Sequence, residues 1–592
     1  MPDMPSYVRD GATRFSRVGA ICFALLCATA AAATLAQAGL NTGFDIWDGF
    51  AVALIALTTA WLAWGAGQAF LGVPSFDPLP DMDLSNAAFP PTAILVPICN
   101  ENPTEVCARI TAMRQSMQAA IVPVDFAILS DTFDPDALIA ERAALAPLFA
   151  DDSASNPVFY RNRTDRHGRK AGNVEDFIRK SGGAYEYVVI LDADSLMEGN
   201  TIRHLVARME ADTTLGLLQT LPNIFGAGSL FGRAMQFSAS FHSPVFARGL
   251  ARMQGRAGPF WGHNAIARVR ALSQCCGLPE LSGPAPFGGT ILSHDYVEAA
   301  LLVRGGWRVE MDPRITGSFE EGPDNLLAFA RRDRRWCQGN LQHMRLVGAP
   351  GLHGWSRFVF VQGIMAYLVS VAWGAFLIVS LLAAATNASP DYFPNAYQLF
   401  PVFPDDKTFQ IVALAFGIGV LLLLPKLAIF GEAAATGRAR GFGGALRALG
   451  SVLAEILLTA LIAPIMLMYQ SRAVAEVFAG KDGGWPATAR GEGRLTLTES
   501  WRASRWVSLF GIVVTIAVYL LVPNLIYWLL PVTLPMSIAP LLIAVTSHPS
   551  NGRVFTTPQE RVTPAVIAAY RENLRTGTAQ QGSSHDPIVQ PA

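Results

Sequence analysis

The chain has 592 residues, of which 51% are hydrophobic and only 15% are charged. This balance argues against an entirely soluble protein and predicts several membrane-spanning helices. The formal net charge of −1 gives no sign of a nucleic-acid partner, and none is expected. Seven cysteines, an odd number without the spacing of metal ligands, argue against a disulfide framework, so we expect the soluble part to face reducing cytosol.

Residues 1–73 comprise a short basic tail and two predicted transmembrane helices. Apolar runs cover residues 18–40 and 49–71, and each is long enough to span a bilayer. The first run also resembles a secretory signal peptide, but it is longer than the apolar core of such a peptide and a second run follows it. Because basic residues precede the first run and almost none separate the two, the N-terminus is predicted to lie inside.

The rest of the chain divides by composition. Residues 74–91 are a linker rich in proline and aspartate, and residues 92–347 have the composition of one cytosolic α/β domain. Residues 348–546 return to membrane character, and residues 547–592 form a polar, basic tail that we expect to be partly disordered. Five apolar runs of spanning length follow the domain, at residues 358–384, 409–430, 446–468, 506–522 and 525–545.

Seven simple spans would place the basic tail outside the cell, against the positive-inside rule. We therefore expect residues 441–480, interrupted at Pro464, to form an interfacial helix plus a hairpin or broken helix, which restores an even count. Residues 481–505 then lie in the cytosol, where they are a candidate lid over a nucleotide site.

Three predicted strands each end in polar or acidic residues. They lie at residues 93–98, 124–131 and 185–194, and the first two are each followed by helical sequence. The run from Tyr187 to Leu191 is apolar without alternation, which is typical of a strand buried on both faces of a parallel sheet. Together the three predict a doubly wound nucleotide-binding half-domain.

The last of these strands ends in Asp192 and Asp194, one residue apart. Ligands bind at this edge of open α/β sheets, and adjacent carboxylates suit Mg²⁺ or Mn²⁺ holding a diphosphate. The alternative is an aspartate pair that only caps the next turn.

Residues 161–173 form a cationic loop before a helix predicted at residues 174–180. Lys170 offers a compact charge for a phosphate, and Ala171 and Gly172 allow backbone amides to approach an anion at the start of the helix. The alternative is a solvated basic loop.

Three later stretches of the sequence each allow both a functional and a structural interpretation. Residues 260–265 combine aromatic and polar groups suited to a sugar, or belong to an ordinary core. Asp295 is either a helix N-cap or a general base, and the neighbouring His294 alone is more often structural. Arg335 and Trp336 offer a phosphate clamp beside an aromatic platform, whereas Arg331 and Arg334 fit the basic flank of a membrane helix.

The order of these motifs resembles processive inverting family 2 glycosyltransferases, the group of the cellulose and hyaluronan synthases. The residues that carry the likeness are Asp131, Lys170 to Asn173, Asp192-x-Asp194, Ser293-His294-Asp295 and Arg332-x-x-Arg335-Trp336. More narrowly, residues 97–101, 162–173, 262–264 and 331–340 resemble the glucans biosynthesis glucosyltransferase H family, which makes osmoregulated periplasmic glucans in Gram-negative bacteria. Arg332 stands where the wider group has glutamine, which leaves the contact to the acceptor unassigned.

The resemblance implies a GT-A domain between transmembrane segments of the bacterial inner membrane, with UDP-glucose as donor and Mg²⁺ or Mn²⁺ as cofactor. Asp295 would be the catalytic base and Asp194 the metal ligand. The nucleotide-sugar site would comprise Asn100, Glu101, Asp131, Lys170, Gly172, Asn173, Asp192 and Arg335. The acceptor site would comprise Trp261, His263, Asn264, His294, Arg332 and Trp336.

The implied product is a β-glucan backbone, β-1,2-linked, exported as it grows. Acyl carrier protein and periplasmic glucan-modifying proteins are further implied partners. The alternatives within enzymes are a cellulose-synthase-like polymerase and a polyprenyl-phosphate glucosyltransferase. Outside enzymes, a transporter or receptor with a nucleotide-binding domain is the alternative, although the spaced acids and candidate base exceed what binding alone requires.

Overall fold

The computed structural model describes residues 11–40, 44–75, 89–149, 156–386, 399–400, 408–483, 493–550, 552 and 554–583, with side chains in the last stretch to residue 577. Most of the predicted linker, the middle of the predicted lid, and the two chain ends lie outside the described residues.

Nineteen α-helices are present in the described parts of the chain: α1 Gly11–Leu40, α2 Ile46–Gly72, α3 Pro103–Ala119, α4 Pro135–Phe149, α5 Arg169–Ser181, α6 Gly199–Ala211, α7 Leu230–Phe241, α8 Ser243–Gln254, α9 Val269–Cys275, α10 His294–Arg304, α11 Leu326–Gln342, α12 Gly354–Thr386, α13 Thr408–Ala435, α14 Ala445–Phe478, α15 Leu497–Leu521, α16 Ile526–Ser537, α17 Ala539–Thr546, α18 Pro558–Arg561 and α19 Ala565–Ser583. The strands are β1 Thr92–Ile98, β2 Asp125–Ser130, β3 Val158–Asn162, β4 Tyr187–Ile190, β5 Leu196–Met197, β6 Leu215–Gln219, β7 Asn223–Phe225, β8 Ala265–Arg268, β9 Arg308–Met311 and β10 Ser318–Glu321.

A seven-stranded mixed sheet forms the centre of the α/β domain, in the order β3-β2-β1-β4-β8-β6-β9. Strand β1 pairs in parallel with β2 and β4, whereas β8 runs antiparallel to both β4 and β6. All residues of β4 and β6 are buried, because helices cover both faces of the sheet. The three strands predicted from sequence are confirmed as β1, β2 and β4, and β3 is an edge strand that the sequence did not reveal.

A second sheet of three strands, in the order β5-β10-β7, lies beside the acidic turn that follows β4. Strand β5 begins two residues after Asp194 and pairs antiparallel with β10, while β7 pairs with β10 in parallel. Residues 318–321, over a hundred positions from the turn in sequence, are thereby brought next to it.

Six described helices are long and apolar enough to cross a membrane: α1, α2, α12, α13, α14 and α15. The pair formed by residues 523–537 and α17 passes the same test with a bend of 59°. The apolar runs predicted from sequence therefore all correspond to helices, and the last of them is broken.

Helix α14 is continuous through Pro464, so the interruption predicted there is wrong. Near its start Val452 packs in one cluster with Phe237 of α7, and near its end Val477 packs in another with Cys337 of α11. A helix that contacts the domain at both ends runs along the base of that domain. The interfacial position expected for residues 441–480 stays a prediction.

The polar tail, expected to be partly disordered, contains helices α18 and α19 within its described residues. Residues 547–583 are here called the C-terminal strap. Near the start of the strap, the carbonyl oxygen of His548 accepts from the Leu230 amide at 2.9 Å. Phe555 is buried against Phe237, and Val566 and Tyr570 are part of the main core. Apolar side chains spaced along α19 therefore give this helix a buried face despite its polar composition.

Helices α2 and α8 cross closely because glycines occupy the crossing. A Cβ atom on Gly72 would lie 1.8 Å from the carbonyl oxygen of Val245, and one on Gly249 would lie 1.9 Å from that of Gln68. The first membrane-type hairpin is thus fixed against the α/β domain by backbone contact.

We expect Gly249→Ala to destabilise the protein, because the methyl group must push α2 and α8 apart. Overpacking of this kind costs about 1–3 kcal/mol. The thermal unfolding midpoint of the purified protein in detergent measures the effect, with Gly65→Ala as the control, since a Cβ atom there meets nothing within 4 Å. Equal midpoints for the two variants would contradict the tight crossing.

Candidate active site

The acidic turn after β4 is held by its own backbone and by Ser195. The amide of Asp192 donates to Ser195 Oγ at 3.0 Å, and the Ser195 amide donates to the carbonyl oxygen of Asp192 at 3.1 Å. Ser195 Oγ in turn donates to Asn264 Oδ1 at 2.6 Å. The next helix, α6, has Glu198 at its N-cap, so neither aspartate caps a helix.

Lys170 joins three segments at this turn. It lies in the first turn of α5, and its Nζ donates to the Asp192 carboxylate and, at 2.7 Å, to the carbonyl oxygen of Gly262. The start of α5 requires small residues, because a Cβ atom on Gly172 would lie 2.1 Å from the carbonyl oxygen of His167. The predicted helix thus starts earlier than expected and carries Lys170 within it.

Asp131 follows β2 and is bound by a bidentate arginine. Arg163 Nε and Nη2 donate to its two carboxylate oxygens at 2.6 and 2.8 Å, and Asn173 Nδ2 donates to it at 2.9 Å. Asn173 is 1% exposed and also donates to the Leu129 carbonyl oxygen, so it supports Asp131 from within the fold. Arg163 has a role not predicted from sequence, although its place in the cationic loop was the available signal.

His263 lies between two carboxylates. Its Nε2 is 3.5 Å from Glu320 Oε2 and 4.0 Å from Asp192 Oδ2. Burial alone would lower the pKa of His263, but these two carboxylates outweigh burial and raise it. The site therefore stabilises the protonated imidazole more than its burial alone would allow.

Glu320 is not among the residues predicted from sequence. Burial raises the pKa of Glu320, while His263 and, more weakly, Arg332 oppose that rise. The adjacent acids Glu320 and Glu321, followed by glycine at the end of a short strand, were the signal for it. Pairing of β10 with β5 brings Glu320 to the acidic turn. The sequence did not predict this pairing, because the two strands lie far apart in the chain.

Asp295 lies in the first turn of α10, whose N-cap is Ser293, so Asp295 is not the cap. A Cβ atom on Gly262 would lie 3.5 Å from Asp295 Cβ, which places Asp295 beside the loop that Lys170 contacts. Burial raises the pKa of Asp295 to about 6, against the lowering effect of backbone amides, Lys170 and His263. Burial and the Lys170 charge lower the pKa of His294 to about 4, so this imidazole is neutral at physiological pH.

Helix α11 presents an arginine and a tryptophan together. The guanidinium of Arg332 lies 4.6 Å from the ring centroid of Trp336, whose side chain is 41% exposed. Burial lowers the pKa of Arg332, while the carboxylates of Glu320 and Asp194 raise it, so Arg332 faces the acidic turn. Arg335 lies three residues after Arg332, on the same side of the helix.

Four further predicted residues lie around these groups. The amide of Asn100 donates to Thr132 Oγ1 at 3.0 Å, and the Glu101 carboxylate accepts from the Cys99 amide, so both lie where β1 ends. The Trp261 amide donates to Gln219 Oε1 at 3.0 Å. Asn264 is 0% exposed, and its Nδ2 donates to Ser318 Oγ at 2.8 Å, so it joins the two sheets.

The arrangement thus brings four carboxylates, Asp192, Asp194, Asp295 and Glu320, to one edge of the sheet beside three cations. Within the parts of the chain that the structure describes, no three His, Cys, Asp or Glu side chains form a metal-binding group by themselves. Paired carboxylates at a strand end, opposite the N-terminus of α5, can hold a cation together with an anionic ligand that the cation itself coordinates.

Two family models match the chain: Glycosyl transferase family 2 over residues 93–276, and Glycosyl transferase family group 2 over residues 187–424. Glucans biosynthesis glucosyltransferase H of Cereibacter sphaeroides is 52% identical over 569 residues, which are 95% of this chain and 95% of that protein. The chain belongs to the glucans biosynthesis glucosyltransferase H family. The family member from Rhodopseudomonas palustris is 40% identical over 540 residues, 89% of this chain and 74% of its own.

Among solved structures, a mannosyltransferase from Pyrobaculum calidifontis in complex with GDP-Man and Mn²⁺ aligns with 74% of this chain and 100% of its own, at 17% identity and a TM-score of 0.45. The family 2 model and the mixed sheet identify the α/β domain as a GT-A glycosyltransferase fold. As a member of the glucosyltransferase H family, the chain is a glucosyltransferase of glucan biosynthesis with apolar helices on both sides of its domain.

We expect Glu320→Gln to lower kcat/KM for glucosyl transfer about tenfold, since the negative charge that faces His263 and Arg332 is removed. The matched control is Glu280→Gln, because Glu280 is 64% exposed and pairs only loosely with the equally exposed His167 at 3.7 Å. Initial rates of glucose incorporation by the two purified variants measure the difference. A Glu320→Gln rate equal to the control would show that Glu320 has no part in the site.

Proposed function

We propose that this protein is a processive, inverting glucosyltransferase that polymerises glucose from UDP-glucose into a β-glucan and exports the chain across the inner membrane. The observation that carries the proposal is the convergence of Lys170, Asp192, His263 and Asp295 around Gly262. A cation for a phosphate and a carboxylate of raised pKa are thereby neighbours, which suits transfer from a nucleotide sugar.

The donor would bind along the carboxyl edge of the sheet. Asp131 and Asp192 would face the uridine and ribose, whereas Lys170, at the start of α5, and Arg335 would bind the diphosphate. Lys170 is occupied by Asp192 in this structure, so the incoming diphosphate would compete with that carboxylate for the ammonium group.

A divalent cation fits the acidic turn. Mg²⁺ and Mn²⁺ are commonly held by one or two carboxylates while phosphate oxygens complete the coordination, and Asp194, next to Asp192, offers that donor set. When bound, the cation would supply positive charge that stabilises the departing diphosphate.

Asp295 is the proposed base. Its carboxylate would take the proton of an acceptor hydroxyl, whose oxygen then attacks the anomeric carbon of glucose. The new glycosidic bond forms as the bond from that carbon to the UDP oxygen breaks, so one in-line displacement converts an α-linked donor into a β-linked product. UDP leaves with the bonding electron pair, and the proton remains on Asp295.

The acceptor would lie on Trp336, at the base of the domain. Beneath it, Asp333 of α11 accepts from the Tyr367 hydroxyl of α12 at 3.2 Å and from Gln470 Nε2 of α14 at 3.0 Å. An ionisable group among apolar helices, paired with neighbouring polar side chains, is typical of a substrate pathway. This network supports entry of the glucan into the membrane beside α12.

The contacts of α14 support a cytosolic domain with both chain ends on its side. With α14 lying along the domain, six crossings remain, formed by α1, α2, α12, α13, α15 and the bent pair. This even number obeys the positive-inside rule.

Acyl carrier protein and periplasmic glucan-modifying proteins stay predictions of the family resemblance.

A polyprenyl-phosphate glucosyltransferase is the second candidate, but Trp336, exposed beside Arg332, favours an acceptor sugar chain. Purified protein in lipid nanodiscs, given UDP-glucose and Mg²⁺, tests the two. We expect a soluble polymer with β-1,2 linkages by methylation analysis. A single glucose on added polyprenyl phosphate, with no polymer, would support the alternative.

The pKa of Asp295 predicts the acid limb of activity. Because the base must be ionised, kcat/KM should be full well above pH 6 and fall as the pH drops through about 6. Asp295→Asn should lower kcat about 10²–10⁴-fold. The control is Asp136→Asn, an exposed position in α4. An Asp295→Asn enzyme with the wild-type rate and pH profile would remove Asp295 from the mechanism.

A further inference from the structure

The C-terminal helix α19 packs against α3 and shares a buried core with the acidic turn. Val566, Ile567 and Tyr570 belong to the same buried cluster as Met113 of α3 and Ala193, the residue between the two aspartates. The last ordered helix of the chain and the acidic turn therefore share one core.

Arg109 of α3 connects α19 to the acidic turn. Its side chain is 2% exposed, and its Nη1 donates to the carbonyl oxygen of Ala193 at 3.1 Å. Its Nη2 donates to the Tyr570 hydroxyl at 3.0 Å, and its guanidinium lies 4.9 Å from the Tyr570 ring centroid. One planar group thus binds the turn on one side and α19 on the other.

Two carboxylates fix the orientation of this guanidinium. Glu321 of β10 lies 2.8 Å from Nη2, and Glu105, one helical turn before Arg109, lies 3.1 Å from it. The Tyr570 hydroxyl also lies 3.4 Å from Glu321 Oε1. Glu321 is adjacent in β10 to Glu320, whose side chain points to the opposite face of the strand and lies near His263.

The part of the C-terminal strap that precedes α19 is attached to helices at the base of the domain. Gln236 of α7 donates to Thr557 Oγ1 at 3.1 Å, and Arg233 forms an ion pair with Glu560. The Phe555 amide donates to Ser451 Oγ of α14 at 3.2 Å. Displacement of α7 or α14 would therefore pull on the chain that holds α19 against α3.

We propose that α19 is a functional part of the donor site, with Arg109 as a positioning residue that holds the Asp192–Asp194 turn from behind through the Ala193 carbonyl. The guanidinium fixes the position of the turn relative to α3, and thereby the direction of the Asp194 carboxylate. Docking of α19 keeps the guanidinium in place through Tyr570. This inference rests on the proposed function only in taking UDP-glucose as the donor bound at the turn.

A structural role for Arg109 makes a different prediction from a positioning role. A destabilised core would lower the fraction of active protein, which reduces kcat and leaves KM and the affinity for UDP unchanged. A misplaced acidic turn would weaken donor binding in the whole population, so KM and the dissociation constant of UDP would both rise.

The test uses the full-length protein in nanodiscs with Arg109→Lys, Tyr570→Phe and the control Arg575→Lys, an arginine of α19 that is 79% exposed. Lysine keeps the charge near Glu321 but cannot bind the Ala193 carbonyl and Tyr570 together. Phenylalanine keeps the ring and removes only the hydroxyl. Calorimetry with UDP and Mg²⁺ gives the dissociation constant, and glucose incorporation gives KM and kcat.

We expect Arg109→Lys to raise KM and the UDP dissociation constant about tenfold and Tyr570→Phe to raise them about threefold, with no change for Arg575→Lys. Wild-type values in both variants would overturn the proposal. If Arg109→Lys does not fold, Tyr570→Phe alone decides, by the same two readouts. A wild-type protein that binds UDP but incorporates no glucose would refute the proposed function and leave the UDP measurements to decide this inference.

Discussion

Crowding of negative charge at one edge of the sheet is the constraint on which the site depends. Asp192, Asp194 and Glu320 interact electrostatically there, and Asp295 lies beside Gly262 in the same site. Like charges about 4 Å apart would repel by about 4 kcal/mol at the effective dielectric of a protein surface. Lys170, His263 and Arg332 offset this repulsion. This balance explains why the pKa of His263 is raised, and it is the reason why we propose that a diphosphate, itself anionic, binds here together with a cation.

The acidic turn is held from two directions by cations of different kinds. Lys170 contacts it from the ligand side with a single flexible ammonium group, which a phosphate can take over. Arg109 contacts it from the core side with a planar guanidinium that is 2% exposed and has four partners within the protein. A fixed support behind an exchangeable contact allows the turn to keep its shape while its charge partner changes.

The sequence was sufficient to predict the parts of the fold that depend on local pattern. The unbroken apolar run before Asp192 predicted a buried strand, and apolar runs of spanning length predicted the membrane-type helices. Local pattern could not reveal contacts between residues that are far apart in the chain. Arg109 and Tyr570, for example, are in contact but lie 461 residues apart. Pro464 predicted a break that does not occur, because packing against α7 and α11 overrides the local cost of proline. Because the tail is polar on average, its composition did not reveal the apolar face of α19.

A structure of the full-length protein in nanodiscs with UDP and Mg²⁺ bound would test the assignment of the donor site. We predict that the diphosphate lies against the N-terminus of α5, with Lys170 Nζ moved from Asp192 to a phosphate oxygen and the cation between Asp194 and the diphosphate. The Ala193 carbonyl should stay on Arg109. UDP bound elsewhere on the domain, with the Lys170–Asp192 contact intact, would contradict the account.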